Sequence, residues 1–152
     1  MEIRPVTAEN WSALIKLKVS DEQTHFVASN LYSIAEAQFG FEDQGHWDFY
    51  PFGAYVDDQP VGFVMYGFNF GHSRFQAFIV RLMVDQQFQG KGYGREIMQR
   101  VLDRFREDER IKNAGISYEP ENEVARKLYA SLGFVEPGEL LEGETLAVLK
   151  VR

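Results

Sequence analysis

The sequence predicts an α/β fold in which a central mixed β-sheet is flanked by helices on both sides. Three observations predict it. The apolar run Phe78–Val84 gives way to a glycine-rich loop and then to an amphipathic segment, a strand–loop–helix unit. Turn chemistry at Asp57-Asp58-Gln59-Pro60 separates two strand-like runs into a hairpin. Strands and helices then alternate toward the C-terminus, and parallel neighbours require crossover helices.

Each element has its own reason. Met1–Val6 reads as a short strand, and Pro5 places it at an edge because proline cannot donate to a ladder. Thr7 can cap a helix whose apolar stripe, Trp11, Leu14, Ile15 and Leu17, runs to about Val19. Ser20–Ala28 is polar and irregular. Ser29 or Asn30 can cap a second helix, Leu31–Phe39, with Leu31, Ile34, Ala35 and Phe39 expected to face inward. Gly40–Tyr50 is a dense mix of aromatic and acidic residues. Phe52–Val56 and Val61–Phe68 form the hairpin, and a turn at Asn69–Ser73 leads into a central strand, Arg74–Val84. In Arg95–Phe105 the residues Ile97, Met98, Val101, Leu102 and Phe105 make the stripe of a half-buried helix. Asn113–Tyr118 is a strand, Glu123–Ser131 a helix, Gly133-Phe134 a break and Thr145–Val151 a last strand. With no repeat, low-complexity tract or linker, one domain over residues 1–152 is expected.

A chain of 152 residues that is 45% hydrophobic is long enough for one real core. It contains no cysteine, which excludes disulfides, thiolate metal sites and a cysteine nucleophile. No metal site is expected. The start, MEIRPVTAEN, lacks the basic and apolar regions of a signal peptide, and no apolar run is long enough to span a membrane. A cytoplasmic protein without membrane partners is therefore expected. The net charge of −7 argues against nucleic acid and suits a cationic substrate.

The loop Gln89-Gly90-Lys91-Gly92-Tyr93-Gly94, followed by Arg95, is suited to hold phosphates, and taken alone it reads also as a glycine-rich turn before a helix. Glycines leave backbone N–H groups uncovered, and the helix start adds unpaired donors and about half a positive charge. A nucleotide P-loop would need Ser or Thr after Gly90-Lys91, where Gly92 stands. A dinucleotide fingerprint would need a third glycine at Arg95 or Ile97. Downstream, Asn122, Ala125 and Tyr129 share one face of a helix. Singly, Asn122 reads equally as a helix cap and Tyr129 as a core tyrosine.

Together these stretches resemble the GNAT superfamily of acetyl-CoA-dependent N-acetyltransferases. Gln89, Gly92 and Gly94 match the pyrophosphate pattern Q/R-x-x-G-x-G/A, and Asn122, Ala125 and Tyr129 match N-x-x-A-x-x-x-Y, followed by the typical Leu132-Gly133-Phe134. The resemblance implies a GNAT-like acyl-CoA N-acyltransferase fold, with acetyl-CoA as co-substrate. It implies that the backbone of Leu82, Met83 and Val84 pairs with the pantetheine arm and that Gln89, Gly90, Lys91, Gly92, Tyr93, Gly94 and Arg95 hold the pyrophosphate. Asn122 would touch the pantetheine, Arg126 or Lys127 would reach the nucleotide phosphates, and Tyr129 would stand near the thioester sulfur. Edge strands and exposed aromatics in this family often support a homodimer.

The chemistry follows from the substrate. A primary amine is mostly protonated at neutral pH, so the site must remove a proton, bring nitrogen to the thioester carbon, and protonate the departing thiolate. Tyr129 is the expected general acid. Many relatives carry a carboxylate on the central strand, but Ile79-Val80-Arg81 contains none. Glu119 is the expected base, with Asp85 or a water chain as rivals and a solvated loop carboxylate as the ordinary alternative.

In the N-terminal half, Asp21, Glu22, Glu36, Glu42, Asp43 and Asp48 accompany Phe26, Trp47 and Tyr50, a set suited to a flexible polycation. A solvated acidic face over core aromatics would look the same. The phrases Phe26–Asn30, Gly62–Tyr66, Gln89–Gly94 and Ile116–Asn122 resemble bacterial spermine/spermidine acetyltransferases. That likeness implies a polyamine or related small amine as acceptor, with Glu22, His25 and Glu36 in its site. The alternatives are a protein, peptide or aminoglycoside acceptor, or a non-catalytic acyl-CoA-binding regulatory module.

Overall fold

A computed structural model describes residues Met1–Arg152. The strands are β1 (Glu2–Pro5), β2 (Phe41–Glu42), β3 (His46–Val56), β4 (Gln59–Phe68), β5 (Ala77–Val84), β6 (Asn113–Tyr118), β7 (Leu140–Leu141) and β8 (Glu144–Lys150). The helices are α1 (Trp11–Leu14), α2 (Asn30–Ala37), α3 (Tyr93–Glu107) and α4 (Glu123–Ser131). The sheet runs β1-β3-β4-β5-β6-β8-β7, with β2 paired to β3. Only β5 and β6 are parallel, and α3 makes the crossover between them. The mixed sheet with flanking helices is the predicted fold, and β1 with Pro5 lies at its edge.

Local chemistry explains the joints. Asp57 and Asp58 both take positive φ, +49° and +62°, the backbone that a two-residue hairpin turn needs between β3 and β4. One face of the sheet packs on α3, whose Ile97, Met98, Val101, Leu102 and Phe105 are all buried. Each such side chain contributes about 1.5–3 kcal/mol of transfer free energy. On β4, Val64 and Tyr66 join that cluster, while Phe63 and Met65 face the other way. There they meet Met83 and the α2 residues Ile34 and Ala37.

Several elements differ from the sequence reading. The first helix is a single turn, not a helix to Val19. Beyond it the chain is drawn along the end of β5, where Lys18 N–H donates to Asp85 at 2.9 Å and Gln86 N–H to the Lys18 carbonyl at 2.7 Å. In α2 the buried residues are Asn30 and Ser33, while Leu31, Ala35 and Phe39 are exposed. Asn30 Nδ2 donates to the Leu14 carbonyl at 2.9 Å, so this polar residue is held inside by its partner. The aromatic and acidic stretch, given no element in the sequence reading, is from His46 onward the first half of β3, paired Asp48 to Phe68 and Tyr50 to Tyr66. The central strand begins only at Ala77. Gln76 before it is buried in a polar turn, accepting from the amides of Lys112 and Asn113 and donating to the His72 carbonyl.

Candidate active site

The site begins where the sheet splits. β5 and β6 are paired only from Ala77 to Ile79 against Ala114 to Ile116, and past that point they diverge. The register of β5 against β4 shifts between Ile79 and Arg81, so Val80 is an extra, bulged residue at the mouth of the split. Val80 to Val84 thus present one edge with no strand beside it. Backbone groups on such an edge remain free to pair with an extended ligand. The opening is a cleft of about 980 Å³ lined by β5, β6, the glycine loop, α4 and the segment from Gln23 to Ala28. Leu82, Met83 and Val84 all line it.

The glycine loop closes one end. Gln89 Nε2 donates to the Val84 carbonyl at 3.0 Å, which ties the loop to the end of β5. Gly90 and Gly92 have φ of +79° and +82°, and a Cβ at either would meet nothing within 4 Å. Their conformation requires glycine, and the space in front of them is open. The amides of Gly90, Lys91 and Gly92 make no hydrogen bond within the chain, and those of Tyr93, Gly94 and Arg95 belong to the unpaired first turn of α3. Six consecutive donors at a helix start make an anion cradle. Lys91 is exposed outside the cleft lining, its Nζ 5.8 Å from the Phe88 ring. Arg95 lines the cleft and is braced by Ser131 at 2.6 Å.

Helix α4 forms the opposite wall. Asn122 is its N-cap, accepting from the Ala125 amide at 3.1 Å, and it also lines the cleft, so cap and ligand contact are compatible. Tyr129 is buried yet borders the cleft, and no protein group hydrogen-bonds its hydroxyl. Burial first, then Tyr118 and the Glu144 carboxylate, hold its phenol above the usual tyrosine range. The Tyr118 ring stands 5.5 Å away. Its hydroxyl donates to Glu136, and burial followed by that carboxylate pushes its pKa up to about 12. Arg126 is engaged by Glu123 and Glu136. Lys127 is exposed and does not line the cleft.

The third wall is a strap from Val19 to Ala28. Gln23 Oε1 accepts from Gln89 Nε2 at 2.9 Å, and His25 Nε2 lies 3.8 Å from Glu121, so the strap touches both sides of the cleft. His25 lines the cleft, whereas Glu22 is exposed beside it and outside the lining. Glu119 lines it from the turn before α4.

A side chamber of about 200 Å³ adjoins the cleft, sharing Val80, Arg81, Ser117, Glu142 and Glu144 with it. Phe41, Trp47, Phe49, Phe75 and Phe78 supply its aromatic surface, and Glu36 and Asp43 add carboxylates to those of Glu142 and Glu144. Gly115 has room for no side chain here, because a Cβ would meet the Phe78 ring at 2.8 Å. Glu36 is paired with Arg81 at 3.1 Å. Asp43 Oδ2 accepts from buried His72 at 3.1 Å, whose Nδ1 in turn accepts from the Arg74 and Phe75 amides. Arg81, Ser117, Glu142 and Glu144 were not singled out by sequence reasoning. The β6–β8 pairing, Ser117 to Leu146 and Tyr118 to Thr145, brings Ser117, Glu142 and Glu144 to the site, Arg81 arrives on β5, and no local pattern marks either.

Comparison with known proteins agrees with this architecture. The sequence model described as the acetyltransferase (GNAT) family matches residues 11–134. A spermine/spermidine N(1)-acetyltransferase of Bacillus subtilis (strain 168) is 28% identical over 153 residues, covering 97% of this chain and 97% of that protein. The spermidine N-acetyltransferase of Vibrio cholerae, solved with CoA and spermine, superposes with a TM-score of 0.70 at 19% identity, over 97% of this chain and 92% of that one. The aminoglycoside acetyltransferase AAC(6')-Ib, solved with coenzyme A, does so with a TM-score of 0.75 at 15% identity, over 97% and 93%. At those identities the solved structures share the fold.

Proposed function

The chain belongs to the GNAT family of acetyltransferases, and from that premise we propose that this acetyl-CoA-dependent N-acetyltransferase acts on a polyamine or a closely related small amine. The observation that carries the reading is the side chamber, where five aromatic rings and four carboxylates adjoin the cleft. Ring faces and carboxylates hold ammonium groups, and apolar walls accept methylenes. The one cation there, Arg81, is already neutralised by Glu36. The substrate for which the Bacillus subtilis relative is named has this chemistry.

In this reading the free edge of β5 at Leu82, Met83 and Val84 pairs with the pantetheine arm. The amides from Gly90 to Arg95 take the pyrophosphate, with Gln89 fixing the loop, Lys91 and Arg95 adding charge, and Lys127 near the nucleotide end. Asn122 keeps its amide Nδ2 for the pantetheine while its oxygen caps α4. The thioester then lies beside Tyr129. An amine enters from the chamber, loses a proton to a carboxylate, and attacks the thioester carbon directly. Tyr129 protonates the leaving sulfur. Its raised pKa keeps the proton on the phenol until a thiolate forms nearby to receive it. Three glutamates line the cleft and are available as base: Glu119, Glu142 and Glu144.

A thiol-release assay with acetyl-CoA and an amine panel tests the reading. Polyamines are expected to outrun monoamines, aminoglycosides and lysine peptides in kcat/KM, and Glu142→Gln to raise KM for polyamines while leaving KM for acetyl-CoA unchanged. Faster turnover of an aminoglycoside or peptide, or tight acetyl-CoA binding without thiol release for any amine, would refute it.

A further inference from the structure

We propose that Glu144 is the general base that takes the proton of the incoming ammonium, with Ser117 as its positioning residue. The inference rests on the reading that this cleft transfers acetyl to an amine. Its ground is position. Glu144, the first residue of β8, lines both the cleft and the side chamber. A group leaving the chamber for the thioester passes it. Its carboxylate is held by Ser117 Oγ, which donates to Oε1 at 2.8 Å, and no cation is paired with it, so Oε2 remains to accept a proton.

The other acids are less suited. Glu36 is engaged by Arg81, Asp43 by His72, and Asp85 by the amides of Lys18 and Gln87. Glu119 lines the cleft but not the chamber. Glu142 lines both, but it is exposed in the turn before β8 and no hydrogen bond fixes its side chain. Glu144 also contributes, after burial and Tyr118, to the upward shift of the Tyr129 phenol, so the two groups share one electrostatic environment.

The proton balance closes. The ammonium gives one proton to Glu144, which passes it to solvent, and the neutral nitrogen forms the C–N bond at the thioester carbon. As the C–S bond breaks, Tyr129 gives its proton to sulfur. The second proton, lost from nitrogen as the amide forms, restores Tyr129. The net products are the acetylamide, free thiol and one proton in solution.

Glu144→Gln tests this, because the amide oxygen keeps the Ser117 hydrogen bond while basicity is lost. The charged and titratable groups that line the same spaces as Glu144 are Glu36, Asp43, Arg81 and Glu142 in the chamber and His25, Tyr93, Arg95, Tyr118, Glu119 and Tyr129 in the cleft. The pH profile of each variant is therefore read against wild type with the same amine. Glu144→Gln is expected to lower kcat/KM for the amine about 100-fold or more, to abolish the acidic limb of its pH profile, and to leave acetyl-CoA affinity and thermal melting unchanged. Glu144→Asp should restore part of the rate, and Ser117→Ala should cost several-fold. A Glu144→Gln enzyme with a normal rate and limb would overturn the proposal, most directly if Glu119→Gln lost both. A wild-type enzyme that releases thiol with no amine would remove the acceptor reading and this inference with it.

Discussion

Arg81 on β5 reaches Glu36 on α2, its Nη2 donating to Oε1 at 3.1 Å, and this pair forms part of the side chamber wall. Nη1 donates to the Val80 carbonyl at the bulge, while Nε is buried without a partner. Breaking a half-buried pair leaves a charge with poor solvation, whereas replacing both partners by apolar side chains does not. Glu36→Gln is expected to cost about 1–3 kcal/mol, between the values for exposed and fully buried pairs. The double variant Glu36→Leu, Arg81→Met should regain most of that. Urea denaturation of the four proteins measures the coupling, and additive losses would show that the pair is screened by solvent. The single variant also frees a cation in the chamber, so its KM for polyamines should rise while its KM for acetyl-CoA stays the same.

Tyr129 is easier to isolate chemically. Its ring belongs to the core cluster and packs near Tyr118 and Phe134, but its hydroxyl has no partner in the protein. Tyr129→Phe therefore removes a proton donor and leaves the packing intact. Expected is a fall in kcat of about 100-fold to 10,000-fold, with acetyl-CoA affinity and melting temperature unchanged. Pre-steady-state thiol release alongside calorimetric titration of acetyl-CoA separates these effects. A normal kcat would remove Tyr129 from the acid role.

The parts of this site legible in sequence are the local ones. Gly90, Gly92 and Gly94 advertise a loop with bare amides, and the spacing of Asn122, Ala125 and Tyr129 is fixed by helix geometry alone. The chamber shows itself in sequence only through composition, in Glu36, Asp43 and Trp47 of the N-terminal half. Trp47, Phe78, Ser117 and Glu144 come from four different strands and Asp43 from the turn before β3, and they meet only in the folded sheet, where β6 pairs with β8 and β5 splits from β6. The error in α2 has a related cause. The apolar residues Leu31, Ala35 and Phe39 suggest a buried stripe, but the inward face is chosen by Asn30, which satisfies a carbonyl of a turn sixteen residues away. Polar satisfaction at long range overrode the hydrophobic period. In β3, the alternation of buried Trp47 with exposed His46 and Asp48 is true strand periodicity. The surrounding aromatic and acidic composition hid it.

The loop glycines are not equivalent, and substitution should separate their roles. Gly92 sits at φ +82° with open space where a Cβ would go, so Gly92→Ala meets no clash but adopts a left-handed backbone at a cost of about 1–2 kcal/mol. The added methyl also stands at the anion cradle. Gly94 lies inside the first turn of α3 with ordinary contacts to Leu128 at 3.7 Å and Val84 at 3.9 Å. Gly94→Ala should therefore leave stability the same or raise it by up to about 1 kcal/mol. Chemical denaturation and acetyl-CoA titration of both variants give the comparison. Gly92→Ala is expected to lose stability and at least tenfold in acetyl-CoA affinity, and Gly94→Ala to lose neither. Equal affinities in the two variants would place the diphosphate elsewhere.

The end of α3 supplies an acid-dependent contribution whose sign can be worked out. Asp108 follows the helix, and Arg110 binds its carboxylate through both Nε and Nη2, at 3.0 and 2.8 Å. The Arg110 side chain first, then its backbone amide, lower the Asp108 pKa from 3.8 to about 2. A folded-state pKa below the unfolded one means that the unfolded chain binds the proton more tightly. The stabilisation is therefore fully present above about pH 4 and is lost as pH falls through 3.8 toward about 2. Arg152 closes the same corner, donating to the Asp108 carbonyl at 3.1 Å and to the Phe105 carbonyl at 3.3 Å. Asp108→Asn keeps a hydrogen-bond acceptor but cannot titrate. Its melting temperature should fall less steeply than that of wild type between pH 4 and pH 2, while Arg152→Ala should lower the curve at every pH, and somewhat more above pH 4, where the Asp108 carboxylate is charged. Parallel curves for wild type and Asp108→Asn across that window would show that Arg110 does not hold the carboxylate in solution.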